Sequence, residues 1–332
     1  MVAARRARET GPGSDGEARA VPAIRRGLAE SGAAGVTAVG EIATAAPPHA
    51  YHGPGPTVRV FREGLGLRAA AGEAVARHVA GDLDRLAAAG IARGISPHAP
   101  YSVAAPLGRR LLAEAGRRRL PVAMHLLESE AEAELIERGT GPFRRLLEDL
   151  GAWDSSAPPT LLSAAEWIGR LARAPRGIVV HATHIAHDEA ALARLTRHRD
   201  RLTVVVCPRT TQAISGTLPP LAALREAGVR VALGTDSRAS NPDLSVLAEC
   251  RTLVDARLAT PEEALRMATI HGAWALGFDR RAGRIAPGRP ADLAILRPTT
   301  ASPQDPFAAA LDPATVVAAT LRRGRVIAGR MA

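Results

Sequence analysis

Short apolar runs alternate with longer Ala-, Leu- and Arg-rich stretches along this chain, and no other feature constrains its fold as much. Seven runs read as strands: residues 35–42 (GVTAVGEI), 58–67 (VRVFREGLGL), 94–98 (GISPH), 121–128 (PVAMHLLE), 177–181 (GIVVH), 202–208 (LTVVVCP) and 229–236 (VRVALGTD). Several are apolar throughout, the pattern of a strand buried on both faces. Helical stretches separate them, among them residues 72–89, 107–119, 186–197 and 219–228. Repeated strand-then-helix order requires a parallel sheet with helical crossovers. A closed barrel of this kind has eight units and seven are visible. The expected fold is therefore α/β, a TIM-type (β/α)8 barrel lacking its first strand.

The tail breaks the pattern. After a helical stretch at 261–276, short strands and Gly/Pro turns run through 283–298 (GRIAPGRPADLAILRP) and 316–329 (VVAATLRRGRVIAG). They read as part of a small β-sandwich, which divides the chain into a barrel over residues 1–280 and a second piece over 281–332. The long segment 139–175 carries helical pieces at 143–150 and 161–172 and is expected to cap the pocket mouth.

Composition excludes more than it identifies. The net charge of +10 suggests a nucleic-acid partner. All 43 basic residues are arginines, however, scattered among Glu and Asp, and aromatics for base stacking make up only 3%. The expectation is a small-molecule substrate and no nucleic acid. The absence of lysine excludes a P-loop lysine, a Schiff-base lysine and a carbamylated lysine bridging two metals. No apolar run is long enough to span a membrane, so no membrane partner is expected. Residues 1–16 are Arg-rich with no apolar stretch behind them, unlike a signal peptide. Cys207 and Cys250 are too few for a disulfide framework, and the cytoplasm is the expected compartment. Oligomeric state is not legible, and a homo-oligomer remains open.

The candidate site residues lie at strand ends. His98, His125, Glu128, His181, Arg209 and Asp236 each come at or just after the C-terminal end of an apolar run. In a parallel barrel those ends converge on the face where active sites lie. His125 and Glu128 form H-L-L-E, a histidine with a carboxylate that could lean over the same spot. A metal and a carboxylate together activate water, the carboxylate taking and returning protons. In isolation the motif reads more readily as a buried histidine beside an unrelated surface glutamate. Asp236 in LGTDS is either a metal ligand and proton acceptor or a helix N-cap. Ser237 and Asn241 offer alternative caps, which leaves Asp236 free. In VVHATHI, strand alternation allows only one of His181 and His184 to face the site, and His181 directly follows the apolar run. His98 precedes Pro100, which ends its strand, and is otherwise a solvent-exposed histidine.

Taken in order, SPHAPYS, HLLE, VVHATH, CPR and GTDSRASNPDLS closely resemble the amidohydrolase superfamily, in its deaminase and chlorohydrolase-like branch. That branch includes the cytosine, guanine and aminodeoxyfutalosine deaminases. GRIAPGRPADLAIL is similar to the family's return into its β-sandwich. The resemblance implies that His125 is a metal ligand and that Asp236 is a ligand that also accepts a proton. It makes Glu128 the proton shuttle to a ring nitrogen and puts His181 beside the attacking water. His98, Arg209 and Ser237 fall on motifs that line the substrate pocket. With no lysine for a bridge, one divalent ion is expected, Zn²⁺ or Fe²⁺.

The departure from the family is at the start. The family's first strand ends in H-x-H and supplies two ligands, and this chain has no H-x-H. His49 and His52 are spaced H-x-x-H, in a loop between the first two visible strands. Residues 1–9 (MVAARRARE) resemble the helix that follows the H-x-H strand, so the chain is expected to begin one βα unit late. The implied activity is metal-dependent hydrolysis of a C–N bond, hydrolytic deamination of a purine-like or other N-heteroaromatic ring. Two alternatives stand beside it: a halohydrolase or amide-bond hydrolase on the same barrel, and an inactive truncated remnant that binds metal weakly.

Overall fold

The structure is a computed structural model that describes residues 15–153, 155, 158–299 and 304–331. The helix expected over residues 1–9 lies outside the described residues. Seven strands form one sheet: β1 (Ala38–Ala43), β2 (Thr57–Gly64), β3 (Ala92–Pro97), β4 (Val122–Leu126), β5 (Gly177–His181), β6 (Leu202–Val206) and β7 (Arg230–Leu233). They lie in sequence order with every neighbouring pair parallel. The fold is the curled, TIM-like sheet that the strand–helix alternation implies, with β1 and β7 as its edges. Among the described residues no strand joins the two edges.

The helices are α1 (Asp15–Ala33), α2 (Ala69–Ala88), α3 (Ala105–Arg118), α4 (Glu130–Arg138), α5 (Pro142–Asp149), α6 (Ala164–Leu171), α7 (Glu189–Arg197), α8 (Pro208–Ser215), α9 (Leu221–Glu226), α10 (Val246–Asp255), α11 (Pro261–Arg266), α12 (Gly272–Ala275) and α13 (Pro306–Leu311). The tail forms a separate antiparallel sheet, β8 (Leu293–Arg297), β9 (Val316–Arg322) and β10 (Arg325–Gly329), ordered β10-β9-β8. This sheet packs on α1, where Thr320 Oγ1 donates to the Gly32 carbonyl at 2.7 Å. Among the described residues no helix is long and apolar enough to cross a membrane.

Alternation along the strands sorts side chains between two layers. Ile42, Phe61, Ala123, Ile178, Val180 and Val205 meet inside the curl. Ile95, Met124, Val179, Val204 and Val231 point the other way, into a larger core shared with the helices. By the same parity Glu63, His98 and His125 face inward at the C-terminal mouth of the sheet.

The expected helix at 261–276 is interrupted. A π-helical stretch, Met267–His271, separates α11 from α12. This region sits against both edge strands. His271 Nδ1 lies 2.7 Å from the Val231 carbonyl of β7. A carbonyl only accepts, so the ring donates and covers one unpaired group of that edge. On the other edge, a Cβ at Gly40 of β1 would lie 2.4 Å from Leu276 Cδ2, so the leucine packs directly on the glycine backbone there. Leu276 and Ala275 pack among the inward residues of β2, β4 and β5. Residues 267–276 thus plug the base of the curl and touch both edge strands. Outside, Glu30 of α1 accepts from the Leu244 amide at 3.1 Å and pairs with Arg238 at 2.9 Å, which ties α1 to the loop after β7.

One other expectation is adjusted. Arginines scattered in sequence come together in part, since Arg173, Arg194, Arg197 and Arg201 line a single surface groove with His198.

Candidate functional site

Five strands end earlier than the runs that mark them. β2 stops at Gly64 rather than residue 67, β3 at Pro97 rather than 98, β4 at Leu126 rather than 128, β6 at Val206 rather than 208, and β7 at Leu233 rather than 236. The chain leaves the ladder just where the polar residues begin, and the backbone there is unusual. Of the seven non-glycine residues with positive φ among the described residues, four stand at the C-terminal ends of β4, β5 and β7: Leu127 (54°), His181 (71°), Ala182 (53°) and Asp236 (55°). Such conformations cost free energy and gather where the surroundings impose them.

The consequence is geometric. His125 faces inward, and an offset of three residues in a regular strand would send Glu128 outward. The left-handed turn at Leu127 breaks that parity: Leu127 packs into the outer core while Glu128 comes round to the mouth. His181 follows the inward Val180 and would otherwise face the helices. Its ring instead stacks on His125, centroids 5.4 Å apart.

The result is a cluster on three strand ends. Ligand-capable atoms of Glu128, His181 and Asp236 all lie within 4.8 Å of one another. His181 Nε2 is 3.4 Å from Glu128 Oε1. Glu63, His98 and His125 form an adjacent group with the same spacing. His98 Nε2 is 3.9 Å from Glu63 Oε1, and the His98 and His125 rings are 5.3 Å apart. The atoms of His125 thus group with His98 and Glu63, while its ring borders the Glu128 cluster.

Protonation follows from the surroundings. Burial raises the Glu128 carboxyl above its ordinary range, the His125 charge opposes that rise, and the Asp236 carboxylate adds to it. Burial lowers the His181 imidazole, with Asp236 acting the other way. His181 is therefore neutral near pH 7, and neither of its ring nitrogens has a hydrogen-bond partner among the described residues. His125 Nδ1 lies 3.1 Å from the His98 carbonyl, which only accepts, so Nδ1 is the donor in that contact and Nε2 is the ring nitrogen left for a ligand. A second-sphere bond of this kind orients a metal-binding histidine. Two histidines with free nitrogens beside carboxylates form a donor set that fits a divalent cation.

The remaining candidates are nearby. Asp236 is exposed, and its Oδ2 accepts from Ser240 Oγ at 2.8 Å. Neither Ser237 nor Asn241 caps a helix, because the next helix is α10 and its N-cap is Ser245. Asn241 Nδ2 donates to the Thr235 carbonyl and to Glu249 Oε1, both at 2.6 Å. Ser237 is exposed and accepts from the Ala239 amide at 3.3 Å. Arg209 does not point free into the mouth: its guanidinium makes a two-pronged pair with Asp243 at 2.7 and 3.1 Å. His98 Nδ1 is 2.5 Å from Ser102 Oγ, and Tyr101 lies edge-on to His98 at 5.5 Å. Phe143 of α5 lies tilted against Tyr101, centroids 4.6 Å apart, which brings the 139–175 segment to the His98 side.

Sequence reading missed Glu63, Glu132, Ser240 and Glu249. Glu63 was hidden because its strand was drawn to residue 67, which put it in mid-strand. Glu132 and Glu249 sit within helices and carry no local signal, and Ser240 is one of several small polar residues in its loop.

A family model described as the amidohydrolase family matches residues 17–327. A 5-methylthioadenosine/S-adenosylhomocysteine deaminase of Halobacterium salinarum is 32% identical over 309 residues, covering 85% of this chain and 63% of that protein. The chain spans 41% to 63% of the length of the first curated relatives it matches. Among solved structures, aminofutalosine deaminase of Helicobacter pylori superposes with a TM-score of 0.79 at 24% identity, over 92% of this chain and 77% of that one. An adenosine deaminase of Xanthomonas campestris with bound zinc superposes with a TM-score of 0.66 at 25% identity, over 92% of this chain and 69% of that one.

Proposed function

We infer that this chain, which belongs to the amidohydrolase family, is a metal-dependent hydrolase that removes an amino group from a purine-like ring. The observation that carries the reading is the convergence of Glu128, His181 and Asp236 within 4.8 Å, each delivered by a different strand end. The deaminase names of its relatives supply the substrate class.

In this reading His125, through Nε2, and Asp236 hold one divalent ion, Zn²⁺ or Fe²⁺, with zinc favoured by the zinc-bound relative. Such an ion, when bound, acidifies water and draws charge from the carbon under attack. The residues manage the protons. Asp236 accepts one from the attacking water, and its hydrogen bond from Ser240 fixes the oxygen that stays occupied. Glu128, with its carboxyl raised by burial, gives a proton to the ring nitrogen beside the amine-bearing carbon. Asp236 passes its proton to the amine, the C–N bond breaks and ammonia leaves, and the hydroxyl proton returns to Glu128 as the ring carbonyl forms. Neutral His181 hydrogen-bonds the water and holds it in line. His98 and Ser237 contact the substrate, and Arg209 does so by sharing its Asp243 partner.

Cys207 and Cys250 are free and buried, and we place the protein in the reducing cytoplasm. The test is to load the chain with zinc and offer adenosine, 5-methylthioadenosine and S-adenosylhomocysteine. Ammonia released in step with substrate loss supports the reading. Full zinc loading with no ammonia from any of the three overturns it, and halide release from a chlorinated triazine instead favours the halohydrolase alternative.

A further inference from the structure

Two buried glutamates stand behind the two acidic residues of the site, and neither has a part in the chemistry above. Glu132, in the first turn of α4, and Glu249, in the first turn of α10, are both fully buried. A buried carboxylate is costly unless its oxygens are engaged. Glu132 Oε1 accepts from the Leu127 amide at 3.0 Å and Oε2 from the Glu128 amide at 2.9 Å. Glu249 Oε2 accepts from the Arg209 amide at 2.9 Å, and Oε1 accepts from Asn241 Nδ2 at 2.6 Å. Asn241 Nδ2 also donates to the Thr235 carbonyl, the residue before Asp236. Each carboxylate therefore clamps one loop that leaves a strand in left-handed backbone.

We propose that Glu132 and Glu249 are positioning residues, Glu132 holding the Leu127 turn that brings Glu128 onto the His125 face and Glu249 holding, through Asn241, the turn that presents Asp236. Without the Leu127 turn, the odd offset between His125 and Glu128 puts them on opposite faces. A left-handed leucine is strained and persists only where something over-determines it. Two charge-assisted bonds to consecutive amides at that turn do so. The division of labour is specific: Glu132 touches the backbone at Leu127 and Glu128, and Glu249 touches the Arg209 backbone and the Asn241 side chain.

The inference rests on the site reading for what is positioned, but its test does not need turnover. Glu132→Gln and Glu249→Gln are made in the full chain, and amide hydrogen exchange is followed residue by residue. In Glu132→Gln, the Leu127 or Glu128 amide exchanges at least tenfold faster while Arg209 is unchanged. In Glu249→Gln, Arg209 and the 235–241 loop accelerate while Leu127 and Glu128 do not. Glu132→Ala, which has no acceptor, must show the first pattern in full even if Gln bridges both amides. Titration with Zn²⁺ alone adds a second axis: Glu249→Gln weakens binding at least threefold by releasing Asp236, and Glu132→Gln leaves it within threefold because Glu128 is not a ligand. Uniform acceleration of all amides, or no acceleration at the named ones, overturns the proposal. If the pattern holds and no substrate is deaminated, the functional reading fails and the positioning stands.

Discussion

His181 Nε2 and Glu128 Oε1 lie 3.4 Å apart at the ends of adjacent strands, although regular alternation would turn both away from the mouth. Left-handed backbone at Leu127 and at His181 itself makes the meeting possible. If Glu128 moves protons without holding the metal, Glu128→Gln in the zinc-loaded chain lowers turnover about a hundredfold or more, the usual range for a general acid–base group. Zinc content measured on the same sample stays the same. Loss of zinc together with activity would mean that Glu128 is a ligand.

His125→Ala and Asp236→Asn each remove a donor from the cation set. Each weakens Zn²⁺ binding at least about tenfold, since loss of even an outer-sphere partner costs that much. Competition with a chromogenic chelator measures the change. An unaltered affinity in either variant removes that residue from the set.

Glu41 on β1 is half-buried, its Oε2 buried and unpartnered among the described residues, and loss of solvent pushes its carboxyl up to about 7, with the nearby Tyr51 hydroxyl acting in the other direction. The folded state holds this proton more tightly than the unfolded chain. Stability therefore falls as pH rises from about 4.5 to about 7, then levels off. Glu41→Gln removes this slope and is more stable than the parent at pH 8, by an amount on the order of 3 kcal/mol at most. Urea unfolding at pH 5 and pH 8 decides it: equal slopes in parent and variant would show that Glu41 is not the group.

Arg62 and Asp82 form a buried ion pair between β2 and α2, with side chains only 6% and 3% exposed. Arg62 also donates to the carbonyls of Ala43 and Glu63, so it ties β1 to the base of the mouth. Burial alone would raise Asp82, yet the Arg62 hydrogen bond and charge, with Arg85 beyond, hold it below the usual carboxylate range. Asp82→Asn leaves a buried guanidinium without its counter-charge and costs about 3–5 kcal/mol. A lower urea midpoint with an unchanged slope is the expected record.

His271→Ala uncovers the Val231 carbonyl on the β7 edge. The cost is about 1–3 kcal/mol, that of a buried acceptor left unmade, and the exposed edge favours self-association. Light scattering with concentration, alongside urea unfolding, tests both. A variant as stable and as monomeric as the parent would show that the plug at 267–276 does not depend on this bond.

The order of elements was legible in the chain. Period-2 and continuous apolar runs separated by helical stretches located all seven sheet strands, and 177–181 matched β5 residue for residue. The class of polar residue at each strand end was legible too, because a barrel brings those ends together whatever its loops do. The stopping points were not. β2, β4 and β7 end before their apolar runs do, since a run of Leu or Gly is equally at home in a strand or a packed loop.

The sequence by itself determined the parallel sheet, the mouth on which His98, His125, Glu128, His181 and Asp236 are presented, and the absence of any lysine from that mouth. Only the tertiary structure decided which of them meet. Parity along a strand is local and would separate His125 from Glu128 and Val180 from His181 onto different faces. Left-handed turns override it; at the end of β4 the Leu127 and Glu128 amides donate to Glu132 of the following helix, and beside Asp236 Asn241 donates to Glu249 of another helix altogether. The plug that covers the β7 edge is likewise invisible locally, because it depends on His271 finding a carbonyl 40 residues away. Composition and period report what a residue prefers, and they carry no record of which distant backbone group its side chain will reach.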